Sequence, residues 1–262
     1  MKVICVANFK GGVTKTSTCV LLATCLTEKG YKVLCIDLDP QSNLSVNSQI
    51  KISGTFGIIK VFGEERQSIR ENIVHTEHYD VVPCCPQLSN LTDYLKNEPG
   101  GQLILKSCIV SEKLDETYDF IIIDTSPSRN VFTDSAFIAS DDIIIPVTPD
   151  RNPMDGIGSV IDIYRKTIRN TYLNPDLKIA GLLRARWIKN RRNSKIGDEL
   201  LEKKAETYGL KIFNTAIRDS SKVQESSFYR ANLLDFAKSN GVVEDYKAFT
   251  EELLKEVARD EC

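Results

Sequence analysis

The sequence predicts an α/β fold, a single doubly wound, mostly parallel sheet with helices on both faces. Three observations carry that expectation. Short β-branched apolar runs alternate with amphipathic stretches along the chain. The runs end in small or acidic residues, as strands do where they feed βα loops. Runs such as Phe120-Ile121-Ile122-Ile123 and Ile143-Ile144-Ile145 are apolar at every position, which suits strands covered on both faces.

The elements follow in order. Lys2 to Ala7 is an apolar run, so it reads as the first strand; the loop after it leads into a helix over Thr16 to Lys29. Lys32 to Asp37 is the second strand, closed by the acidic Asp37-Leu38-Asp39-Pro40. The region from Asn43 to Glu77 shows no usable period, and Asp80 to Pro83 is the next strand. Asp119 to Asp124 is a strand, Val131 to Ser140 a helix, and Asp142 to Val147 a strand. Gly156 to Arg169 then reads as a helix, Lys178 to Ala185 as a strand and Lys195 to Tyr208 as a helix. Leu210 to Thr215 is the last strand and Val242 to Arg259 the closing helix. No repeat, low-complexity linker or composition break divides the chain, so residues 1–262 are expected to form a single domain, with no DNA-binding domain ahead of the first strand.

Composition excludes disorder, collagen and coiled coil: 42% of residues are hydrophobic and 27% charged, with 14 Gly and 9 Pro in 262 residues. A net charge of −2 gives no global pull towards nucleic acid or an anionic membrane, so any polyanion site must be a local patch. The eight cysteines lie mostly in apolar runs without a CxxC pair, which reads as reduced thiols in a cytoplasmic protein. No run is long enough for a signal peptide or a membrane span.

Chemistry concentrates after the first strand, in Lys10-Gly11-Gly12-Val13-Thr14-Lys15-Thr16-Ser17. A strand, a glycine loop, a Lys-Thr pair and a helix together make a phosphate cradle. Backbone N–H groups and the helix N-terminus can meet the anion, Lys15 can reach the β and γ phosphates of a nucleotide, and the Thr16 hydroxyl can ligate Mg²⁺. The ordinary G-x-x-x-x-G-K-[ST] pattern fails here, since its glycines would fall on Phe9 and Thr14; the deviant form K-G-G-x-x-K-[ST] is complete. Asp39 and Asp124 follow strands two and four, at the carboxyl edge where open α/β sheets bind ligands.

With Asp39-Pro40-Gln41-Ser42-Asn43, Asp124-Thr125-Ser126-Pro127-Ser128, Pro146-Val147-Thr148-Pro149 and Thr215-Ala216-Ile217-Arg218, the chain resembles the ParA/MinD family of deviant-Walker P-loop ATPases over nearly its whole length, and most closely the ParA (Soj-like) DNA-partition branch. The resemblance implies that Lys10 crosses to the other subunit's nucleotide in an ATP-sandwich homodimer. It implies that Lys15 and Thr16 serve the phosphates and Mg²⁺, that Asp39 positions or activates the attacking water, and that Asp124 is the Walker B acid. The candidate catalytic residues are thus Lys10, Lys15 and Asp39, the metal residues Thr16, Asp39 and Asp124, and the ATP-binding residues Lys10 to Ser17. Three departures stand out: Thr14 occupies a usual glycine, which strains the backbone if φ is positive there, Ser126 replaces a common proline, and Arg218 replaces a proline near the adenine.

DNA partition, membrane-bound division-site positioning and iron–sulfur electron transfer share this motif set, so the choice rests outside the loop. The stretch from Glu244 to Cys262 is acidic, against a membrane-binding tail. Only Cys84, Cys85 and Cys108 are candidates for cluster ligands, and packing explains them better. Arg184 to Lys195 carries six bases and no acid. Such a run is usually a solvated face, but this one leaves a strand's carboxyl end, and relatives carry a DNA-binding arginine there. Lys189, Arg191, Arg192 and Lys195, with Arg218 and Lys222 from the next loop, are the candidate contacts to nonspecific DNA. The expected function is an ATP-dependent, nucleoid-associated DNA-segregation ATPase with slow turnover, stimulated by a ParB-like centromere-binding partner. A positioning or regulatory ATPase acting on another cargo is the alternative, and a nonenzymatic nucleotide-gated module the third reading.

Overall fold

The computed structural model describes residues 1–149, 153–169, 173–188, 192–229 and 240–260. Eight strands form one sheet in the order β3-β4-β2-β5-β1-β6-β7-β8. They are β1 (Lys2–Val6), β2 (Val33–Leu38), β3 (Val74–His75), β4 (Asp80–Val82), β5 (Phe120–Thr125), β6 (Asp142–Val147), β7 (Lys178–Trp187) and β8 (Ile212–Arg218). Every pairing is parallel except that of β3 with β4. The doubly wound expectation therefore holds, with one short antiparallel edge.

Alternation along the central strands explains why both faces are covered. Val3, Cys5, Ile121 and Ile123 point into one apolar cluster, and Ile4, Val6, Phe120 and Ile122 into the other. The first cluster is closed by α3 (Ile58–Phe62), α4 (Thr92–Asn97), α5 (Ile104–Ser111), α6 (Val131–Ala139), α7 (Pro153–Arg169) and α8 (Arg192–Tyr208). The second is closed by α1 (Lys15–Glu28), α2 (Asn43–Asn47) and α10 (Gly241–Asp260); α9 (Ser221–Tyr229) precedes α10. Edge strand β8 is capped from α10, where the Glu252 carboxylate accepts the backbone N–H groups of Asn214 (2.8 Å) and Thr215 (2.9 Å), satisfying donors that an open edge leaves unpaired.

Several boundaries move from their sequence expectations. Helix α1 starts at Lys15 rather than Thr16, β7 runs to Trp187 rather than Ala185, and β8 spans 212–218 rather than 210–215. The opaque stretch 43–77 holds α2, α3 and β3. Two five-residue helices and a two-residue strand are too short to display a period, and the interior of the fold decides them instead.

The order places β1 at the centre of the sheet, between β5 and β6. The chain turns to one side of β1 for β2 and to the other for β6, so the loop leaving β1 sits where the winding reverses, the usual crevice for a ligand. Register then brings acids together, because Val6 is level with Asp124 and Asp124 is level with Asp37.

Candidate functional site

Between β1 and α1 the backbone turns left-handed twice, at Gly12 (φ 76°) and Thr14 (φ 65°, ψ 20°). Such turns make the concave backbone in which N–H groups converge on an anion. Glycine takes this conformation freely, whereas a β-branched residue does so under strain; the departure at Thr14 is therefore a strained one. The Thr14 hydroxyl lies beside that of Tyr246 without meeting hydrogen-bond geometry, and the Tyr246 hydroxyl is hydrogen-bonded with Thr18 Oγ1 (3.0 Å). Helix α1 has no side-chain N-cap and no acid in its first turn, which leaves its positive end available to an anion.

Lys15 is buried, and its Nζ donates to the Lys10 carbonyl at 3.2 Å. Burial lowers its pKa, opposed by the attraction of Asp124 and Asp39. Loop residues 11–17, together with Asp39, Asn43 and Pro127, line a cavity of ≈ 420 Å³. A second cavity of ≈ 410 Å³ adjoins the loop at Gly12, Thr14 and Ser17 and is bounded by Arg186, Asp219 and Tyr246.

Three carboxylates stand at this edge. Asp124 Oδ2 accepts from Thr16 Oγ1 at 2.7 Å, while Oδ1 is buried without a partner. Burial, with the neighbouring Asp37, pushes the Asp124 carboxyl up to about 8, although Thr16 and Lys15 pull the other way. Asp37 is fully buried and is pushed up to about 6 by burial, against hydrogen bonds from Ser45 Oγ (2.6 Å), Ser45 N (2.9 Å) and Asp39 N (3.0 Å). Asp39 is also buried, and its Oδ1 accepts from Gln41 N at 2.9 Å.

These donors fit a small hard cation. Thr16 and Asp124 offer oxygen only, Asp39 lines the same cavity, and the orphaned Asp124 Oδ1 lacks the positive partner a metal or its water would supply. Among the described residues no three His, Cys, Asp or Glu side chains form a metal cage. Mg²⁺ takes one or two protein oxygens and completes its shell with phosphates and water, a demand that Thr16 and Asp124 can meet.

The sequence-predicted residues Gly11 to Ser17, Asp39 and Asp124 thus meet at one edge, and Lys10 joins them through its main chain. Three residues given no role by sequence reasoning belong there too. Asp37 and Ser45 pin the segment carrying Asp39, with Ser45 Oγ also accepting from Cys84 N at 2.9 Å. Asn8, buried behind the loop, is the third. For Asp37 and Asn8 the signal in the sequence is a polar residue where an apolar strand ends; Ser45, inside α2, carries none.

The basic strip assembles in part. Lys189 and Arg191 lie outside the described residues, and Arg192 enters the description only as the first residue of α8. Lys195 is exposed and lines, with Arg218 and Trp187, a cavity of ≈ 600 Å³. Other bases of the region are engaged in ion pairs: Arg184 with Asp198 (2.8 Å), Arg186 with Asp219 (3.1 Å), Arg218 with Asp245 (2.7 Å) and Lys222 with Glu225 (2.5 Å). Arg218 is held especially firmly, since Asp245 also accepts its backbone N–H. All cysteines among the described residues are free thiols, six of them buried, and no described helix is long and apolar enough to cross a membrane.

Comparison with known proteins places this architecture. The family described as AAA domain matches residues 1–179. The chromosome partitioning protein ParA of Myxococcus xanthus is 30% identical over 97% of this chain and 88% of its own. Among solved structures, a plasmid partition protein from Borrelia burgdorferi bound to AMPPNP superposes with a TM-score of 0.80 at 26% identity, covering 97% of this chain and 99% of that one. Cobyrinic acid a,c-diamide synthase from Mycobacterium smegmatis, with bound ADP and magnesium, gives 0.84 at 26% identity, covering 98% and 96%.

Proposed function

Because this chain belongs to that AAA-domain family, in its ParA-like deviant-Walker branch, we propose that it is a slow ATPase of DNA segregation, working as an ATP-sandwich dimer on nonspecific DNA. The observation that carries the reading is the convergence of Lys15, Thr16, Asp39 and Asp124 on one loop with a free helix N-terminus.

In this reading the loop N–H groups and Lys15 hold the phosphates, and the adjoining cavity takes the sugar and base. Thr16, Asp124 and Asp39 hold Mg²⁺, which neutralises phosphate charge when bound. Asp39 orients the attacking water, and Lys10, carried at the loop's mouth, reaches the partner subunit's nucleotide. Positioning and charge neutralisation supply most of phosphoryl-transfer catalysis, so this short list of residues is sufficient. ATP-driven dimerisation organises the sheet edge that carries Lys189, Arg191, Arg192 and Lys195 into a phosphate-binding strip, and a ParB-like partner accelerates hydrolysis and release. The dimer acts in the cytoplasm on the nucleoid.

The ion pairs of Arg218 and Lys222 favour a second reading, a positioning or regulatory ATPase on another cargo, because they remove two bases from the strip. Binding to unrelated DNA duplexes with ADP, ATP and a non-hydrolysable analogue, over a salt series, separates the two. ATP-dependent retention that weakens steeply with salt supports segregation on DNA. ATP turnover without retention supports the second reading, and absence of turnover overturns both.

A further inference from the structure

Asn8 stands between the first strand and the phosphate loop, and it is fully enclosed. Its Oδ1 accepts the Lys10 backbone N–H at 3.1 Å, and its Nδ2 donates to the Pro146 carbonyl at 2.8 Å, near the end of β6. Lys10 is thereby held from two sides, by Asn8 at its N–H and by Lys15 Nζ at its carbonyl. The third wall is Gly156 in α7, where an added Cβ would overlap Asn8 Oδ1. A helix glycine costs about 1 kcal/mol relative to alanine, so its presence here needs a reason, and the Asn8 carboxamide supplies one.

We propose that Asn8 is a positioning residue: it fixes the Lys10 peptide, and hence the origin of the Lys10 side chain, relative to β6 and α7. A displacement of α7 against the sheet reaches the loop through this amide. The proposal rests on the ATPase reading for its consequence in turnover, though not for its geometry.

Two variants disturb the same contact by different routes. Asn8→Ala removes the carboxamide, and Gly156→Ala pushes it aside while leaving Asn8 in place. Gly158→Ala is the control, because in the same helix its Cβ would meet only the Tyr208 hydroxyl at 3.4 Å, an ordinary contact. The first readout is amide hydrogen exchange over residues 7–12 in the nucleotide-free protein. Asn8→Ala and Gly156→Ala should each raise exchange at Lys10 by about tenfold, with the control at wild-type rates. The second readout separates kcat from nucleotide affinity. Both variants should bind a fluorescent ATP analogue within about twofold of wild type, since Lys15 and Thr16 are untouched, while kcat falls by about tenfold to a hundredfold.

Unchanged exchange in both variants overturns the proposal. So does a folded pair that turns over ATP at the wild-type rate while the wild type is active, or one whose affinity and kcat fall in parallel. Should Gly156→Ala not fold, Asn8→Ala alone carries both readouts, with the same expected and overturning results. An inactive wild type would instead overturn the ATPase reading and leave the exchange measurement to decide the role of Asn8.

Discussion

Replacing Thr14 by glycine should stabilise the protein. Thr14 holds φ 65° and ψ 20°, and an L-residue in the left-handed region costs roughly 1–2 kcal/mol, towards the upper end for a β-branched side chain. Glycine removes that cost but gains freedom in the unfolded chain, which opposes by about 0.5–1 kcal/mol. The hydroxyl adds little, as it makes no well-formed hydrogen bond. The balance is about 1 kcal/mol in favour of Thr14→Gly, or about 2–4 °C in Tm for a chain of this size class. Thr14→Ala is the discriminating control, because it deletes the hydroxyl and keeps the Cβ that causes the strain, so it should stay within about 0.5 kcal/mol of wild type. Reversible urea and thermal unfolding of the nucleotide-free protein measure both, with ATP turnover followed in parallel and expected within about threefold of wild type for Thr14→Gly. Equal stabilities for the glycine and alanine variants would refute the strain argument. A tenfold loss of turnover in Thr14→Gly would show instead that the constrained backbone serves catalysis.

Three further outcomes are expected. Lys15→Ala should lose nucleotide binding, whereas Lys10→Ala should bind ATP and lose turnover by about 10³-fold or more; normal hydrolysis by a dimeric Lys10→Ala protein would remove Lys10 from the chemistry. Asp39→Ala should accumulate as an ATP-bound dimer with negligible phosphate release, read by sizing and phosphate assay, and a monomer of unchanged ATP affinity would count against the role given to Asp39. Glu252→Gln should cost about 1 kcal/mol at neutral pH, discounted for the partial exposure of the site. Burial alone would raise the Glu252 pKa, but the hydrogen bonds from Asn214 and Thr215 win and hold it below its ordinary 4.5. A depressed carboxylate stabilises the fold above its unfolded pKa and loses that contribution as pH falls through the folded value. The wild-type and variant unfolding curves should therefore converge in acid, and a gap that persists unchanged below pH 4.5 would disprove the mechanism.

By itself the sequence determined whatever is written locally. The parallel sheet was legible because each long strand and helix carries its own period and its own terminator. The phosphate loop was legible because the residues from Lys10 to Ser17 are consecutive, and even the tension at Thr14 could be anticipated from the absence of a glycine. Only the tertiary structure decided what depends on partners distant in the chain. Strand register sets Asp37 level with Asp124, and burial, joined for Asp124 by the charge of Asp37, raises both carboxyls. The packing of α7 puts Gly156 against Asn8, and the approach of α10 gives Arg218 its Asp245 and β8 its Glu252. No pattern within a short window encodes these encounters, since a side chain's charge state and hydrogen bonds depend on what the fold brings beside it, and composition is silent on that. The short elements between residues 43 and 77 belong with them. Helices of a single turn are too short to be stable alone, so they exist because the rest of the fold buries their apolar residues.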